Sequence, residues 1–128
     1  MFRPAHDLVQ EAKKSVRECN AAEMHEQMSA PNALLIDVRE PDEYRQGHIS
    51  GAINIPRGML EFKISNEPSL QDLARPLLIY CKTSGRAALS VVALQTMGFT
   101  NTCSLAGGFD GWVAAGQAVS KPKDIAFE

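Results

Sequence analysis

Two short runs, LLIDV at residues 34–38 and PLLIYC at residues 76–81, are apolar almost throughout, and each hands over abruptly to polar residues. A strand with one face in water alternates apolar and polar side chains. A run without alternation is buried on both faces, which points to a parallel sheet covered by helices on either side. The segments between the runs supply the helices. NAAEMHEQM opens on Asn20 with Glu23 three residues later, a helix start, and carries Met24 and Met28 on one face. Pro41, Asp42 and Glu43 open a short helical turn in PDEYRQG, and SGRAALSVVALQTMG is a longer helix that Gly98 closes. SVREC, AINIP and TCSLAGG read as further short strands, and FDGWVAAG as a last short helix. Strand and helix alternate, so the expected fold class is α/β with right-handed crossovers.

The chain's 128 residues make one domain, with 45% hydrophobic and 22% charged residues as in an ordinary soluble globule. A net charge of -2 leaves no general surface for nucleic acid, which needs many phosphate-neutralising cations. No stretch approaches the roughly 20 apolar residues of a membrane span, and MFRPAHDLVQEAKKS carries charges where a signal peptide has its apolar core. The cytoplasm is the expected compartment. Cys19, Cys81 and Cys103 are odd in number and at no metal-ligand spacing, so neither a disulfide framework nor a metal site is expected.

In such sheets ligands gather beyond the carboxyl ends of the strands, where both apolar runs stop. The second stops at YCKTSGRAAL, residues 80–89. A cysteine at a strand end can be an inert core thiol. Here it is followed by Lys82, Thr83, Ser84 and Gly85, residues able to turn tightly and aim backbone N–H groups at one centre, and then by Arg86 and a helix N-terminus. Such a nest stabilises an anion, first of all the Cys81 thiolate, which favours a nucleophile over a core thiol. Four residues separate Cys81 from Arg86. The small ring suits a compact group such as a persulfide better than a tetrahedral phosphoryl group. Asp37 and Arg39, at the end of the first run, reach the same edge, where they form a structural ion-pair network, extended in one arrangement to Arg86, or place substrate. Glu43 and His48 fit a framework turn, with His48 orienting backbone or tuning the pocket. Arg57 either faces solvent or reaches an anionic donor. Gly107 and Gly108 let the last strand turn close to the active edge, Trp112 gives apolar cover, and Cys103 is core.

Three blocks in order, LLIDVREPDEYRQGHISGAINIP, LLIYCKTSGRAA and LAGGFDGW, together resemble the rhodanese family of single-domain sulfurtransferases over residues 16–116. The resemblance implies a parallel five-stranded sheet flanked by helices. It also implies an active loop from Cys81 to Arg86, with Cys81 taking sulfane sulfur from a thiosulfate-like or persulfide donor and passing it to a thiol or other thiophilic acceptor, small molecule or protein. Related cysteine phosphatases have one more residue before their arginine, and inactive members of the family commonly lack the cysteine. Many members place glycine three positions after the cysteine, where this chain has Ser84 and then Gly85. No metal or organic cofactor is demanded. The expected organisation is a helical extension over residues 1–15, a rhodanese-like domain over 16–119 and a tail over 120–128. The alternatives are a sulfur-relay or regulatory binding module, and a small cysteine phosphatase or arsenate reductase.

Overall fold

The computed structural model describes residues 1–121. Helix α1 (Ala5–Lys13) is followed by strand β1 (Glu18–Cys19), helix α2 (Ala21–Gln27), strand β2 (Leu34–Asp37), helix α3 (Pro41–Gln46) and strands β3 (His48–Ile49) and β4 (Ile53–Asn54). Helix α4 (Leu60–Asn66), strand β5 (Leu77–Tyr80), helix α5 (Gly85–Thr96), strand β6 (Thr102–Leu105), helix α6 (Gly108–Ala114) and strand β7 (Val119–Ser120) complete it. Five strands form one sheet in the order β1-β6-β5-β2-β4, every neighbouring pair parallel. No helix of the described residues is long and apolar enough to cross a membrane.

The absence of alternation in the two long runs follows from this layering. Leu77 and Ile79 of β5 point into a core with Leu60, Ile64, Val91 and Leu94 from α4 and α5. Leu78 and Tyr80, on the opposite face, enter a second core with Met24 of α2 and Trp112 of α6. Each of these side chains is essentially fully buried, contributing on the order of 1.5–3 kcal/mol apiece. Asn20 caps α2 as expected, its side chain accepting from the Glu23 amide at 2.9 Å while Glu23 accepts from the Asn20 amide.

A two-stranded antiparallel pair of β3 and β7, His48 opposite Ser120, lies outside the expected sheet. Two-residue strands have no period to read. Ser120 is therefore paired backbone, while residues 122–128 of the expected tail lie outside the described residues. Helix α1 packs on α5: a Cβ added to Gly85 would sit 3.4 Å from the Val9 side chain.

Candidate active site

Register fixes which chain ends meet. Asp37 at the end of β2 pairs with Tyr80 at the end of β5, so Cys81 follows at the same edge of the sheet. Its side chain is buried, and its Sγ accepts the Ala87 backbone N–H at 3.4 Å. Ala87 lies in the first turn of α5, so a helix N-terminal amide is aimed at the sulfur. The N–H groups of Lys82, Thr83 and Ser84 meet no acceptor among the described residues.

The glycine-led first turn of α6 holds the loop. Phe109 N–H donates to the Cys81 carbonyl at 2.8 Å, and Asp110 N–H to the Lys82 carbonyl at 3.1 Å. Gly108 has φ +57°, and a Cβ there would lie 2.6 Å from the carbonyl oxygens of Cys81 and Lys82 and closer still to that of Thr83. No side chain fits between the turn and the loop. This is why GG stands in LAGGFDGW.

Arg86 does not extend the Asp37–Arg39 network, one of the arrangements left open by the sequence. Its guanidinium instead grips Glu43 of α3, with Nη1 donating to Oε1 at 2.7 Å and Nη2 to Oε2 at 3.1 Å. The hydrogen bond from Arg86 holds the Glu43 carboxyl down at about 2, against the opposing effect of burial, with help from the Glu40 amide. Glu43 in turn raises Arg86 above its ordinary value. Glu43 reads in sequence as framework, and nothing local marks it as the partner of a residue on another helix.

Asp37 and Arg39 form a closed structural pair. The buried Asp37 carboxylate accepts from Arg39 N–H at 2.9 Å and from Nε and Nη2 at 3.0 and 2.7 Å, and Nη2 also donates to the Gly47 carbonyl. The guanidinium lies 4.4 Å from the Phe109 ring centroid. Burial alone would lower the Arg39 value; the Asp37 hydrogen bonds and charge outweigh it and raise it. His48 is buried, its Nδ1 3.1 Å from the Tyr44 carbonyl and its ring stacked on Tyr44.

Lys82 projects outward and pairs with Asp110 at 2.7 Å. Both line a cleft of about 260 Å³ with Arg39, Glu43, Gln46, Gly47 and Phe109. Arg57 is absent from that lining and pairs with Glu61 one helical turn on. Thr83 is exposed. The Ser84 hydroxyl accepts from Lys13 Nζ of α1 at 2.7 Å. Lys13 is a second residue that sequence reading does not find, because 71 positions separate the partners. Trp112 is core, its Nε1 donating to the Ala118 carbonyl.

The Rhodanese-like domain profile matches residues 20–115. An uncharacterized protein of Bacillus subtilis is 41% identical over 80 residues, covering 62% of this chain and 60% of that protein. A thiosulfate:glutathione sulfurtransferase of Saccharomyces cerevisiae is 33% identical over 95 residues, covering 67% of this chain and 68% of the yeast protein. Among solved structures, a protein of unknown function from Rhodopseudomonas palustris, described as a possible tyrosine phosphatase, superposes with a TM-score of 0.84 at 29% identity, covering 94% of this chain and 96% of that one.

Proposed function

The chain belongs to the rhodanese-like domain family, and from that premise we propose that it is a sulfurtransferase that carries sulfane sulfur on Cys81. The observation that supports the reading most is the Ala87 amide directed at the Cys81 sulfur inside a loop closed by Arg86. In the first half-reaction the Cys81 thiolate attacks the outer sulfur of a thiosulfate-like donor. The S–S bond of the donor breaks, sulfite leaves with its electron pair, and Cys81 becomes a persulfide. A thiolate acceptor then attacks the outer sulfur, and the bond to Cys81 breaks and returns the Cys81 thiolate. The loop amides and the start of α5 stabilise the charged sulfur in both halves.

Lys82, at the cleft, draws in the anionic donor, and Arg86 holds the loop closed through Glu43. Asp37, Arg39 and His48 keep the strand ends in register and do no proton transfer, which a thiolate nucleophile does not need. Neither half-reaction calls for a metal or organic cofactor. The reducing cytoplasm, where free thiols serve as acceptors, is the proposed compartment. The yeast relative's name, thiosulfate:glutathione sulfurtransferase, supports thiosulfate as donor and a low-molecular-weight thiol as acceptor. The short interval between Cys81 and Arg86 weighs against phosphatase chemistry.

The burial of Cys81 favours a second reading, relay to a protein acceptor that opens the loop on docking. A labelled-sulfur transfer screen against glutathione, other small thiols and candidate proteins, with Cys81→Ser as control, separates the two. Discharge to small thiols supports the enzyme, and discharge to a protein alone supports the relay. Release of inorganic phosphate or arsenite in place of sulfur transfer would sink both.

A further inference from the structure

Cys19 and Cys103 take no part in the Cys81 chemistry, yet their sulfurs are 2.8 Å apart and hydrogen-bonded in the core. They lie on the neighbouring parallel strands β1 and β6. The register sets Glu18 opposite Ser104 and Cys19 opposite Leu105, so Cys19 and Cys103 are diagonal neighbours on one face. A bond between these sulfurs shortens their 2.8 Å separation to about 2.05 Å and draws β1 toward Cys103. β1 has that freedom: it is two residues long and is the outermost strand, paired on one side only.

The two thiols are electronically unequal. The hydrogen bond between the two sulfurs, followed by the charge of Arg17, holds Cys103 below its ordinary value against the effect of burial, while the same bond and burial push Cys19 up. Of the two thiols Cys103 is the easier to deprotonate.

We propose that Cys19 and Cys103 form a second reactive-thiol site, which a small two-electron oxidant of the hydrogen peroxide class converts reversibly into an intramolecular disulfide. The Cys103 thiolate attacks one peroxide oxygen and the O–O bond breaks. The departing hydroxide is protonated to water, leaving a sulfenic acid. The Cys19 sulfur then attacks the sulfenic sulfur, forming the S–S bond. The S–O bond breaks, and a second water leaves with the Cys19 proton. The two thiols lose two protons and two electrons, and the peroxide gains them as two waters. A monothiol such as reduced glutathione reverses it by exchange: its thiolate attacks one sulfur, and a second glutathione frees that cysteine as glutathione disulfide leaves.

The bond acts on the Cys81 loop through the main chain. The Cys19 carbonyl accepts the Ala106 N–H at 2.8 Å, and Ala106 leads into the Gly107–Gly108 turn, whose next two amides hold the carbonyls of Cys81 and Lys82. Drawing β1 toward Cys103 loads that turn and loosens those two hydrogen bonds.

Full-length Cys81→Ser protein, fully reduced and then treated with hydrogen peroxide, tests this without any contribution from Cys81. Most molecules lose the mass of two hydrogens, digestion yields a linked Cys19–Cys103 peptide, and reduced glutathione restores both thiols. Amide hydrogen exchange at Phe109 and Asp110 quickens in the oxidised form. The mass loss disappears in Cys19→Ser and, should that variant fold poorly, in Cys103→Ala. Either sulfur gaining oxygen atoms without a cross-link, or both staying unmodified in the folded protein, overturns the proposal. A bond that glutathione cannot open overturns its reversibility, and unchanged exchange at Phe109 and Asp110 overturns the coupling. None of these outcomes depends on whether Cys81 transfers sulfur.

Discussion

Replacing Glu43 by glutamine removes the charge that Arg86 grips while keeping the shape of the side chain. A carboxyl held at about 2 instead of its ordinary 4.5 would contribute about 3 kcal/mol if fully buried. The Glu43 and Arg86 side chains are 31% and 38% exposed, however, and solvent screening reduces this to about 1–1.5 kcal/mol. The folded carboxyl titrates below the unfolded one, so the contribution is complete above about pH 4.5 and is lost as the pH falls through about 2. Urea midpoints of the natural chain and Glu43→Gln should therefore differ at pH 7, and the gap should close progressively below about pH 4.5. If loop order limits sulfur transfer, the same energy lowers kcat/KM for thiosulfate by about 5- to 12-fold at pH 7. Equal midpoints at pH 7, or a gap that persists unchanged down to about pH 2, would refute the assignment of Glu43 as the anchor of Arg86.

Three further substitutions probe the other supports. Gly108→Ala places a Cβ against the carbonyls of Cys81, Lys82 and Thr83 at φ +57°, and should cost about 2–4 kcal/mol by thermal unfolding along with the sulfur-transfer activity. Asp37→Ala strands the buried Arg39 guanidinium and should cost about 3–5 kcal/mol in urea. Lys13→Met frees the Ser84 hydroxyl at a cost of about 1 kcal/mol. It should raise KM for an anionic donor more than it lowers kcat, and Lys13→Arg should recover most of the loss; an unchanged KM would leave Lys13 as surface packing.

The sheet was legible because burial on both faces erases alternation in LLIDV and LLIY, and the capped start of α2 because Asn20 and Glu23 are local partners. The Cys81 loop was legible for a related reason: strand, turn, arginine and helix follow one another within ten residues. What sequence could not supply are partners brought together by the crossovers. Glu43 meets Arg86 across 43 positions and Cys19 meets Cys103 across 84. Neither member of these pairs carries a local sign of the other. For Arg57 the sequence leaves solvent and an anionic donor equally open, and the structure adds a partner, Glu61 one helical turn on.

The account turns on sulfur residing on Cys81, and intact-mass analysis of the folded, reduced protein after incubation with thiosulfate and no acceptor thiol tests that directly. The predicted result is one added sulfur, mapped to Cys81, with sulfite released in equal amount and neither product formed by Cys81→Ser. No added sulfur from thiosulfate or a persulfide donor, or an added sulfur mapped to Cys19 or Cys103, would contradict it.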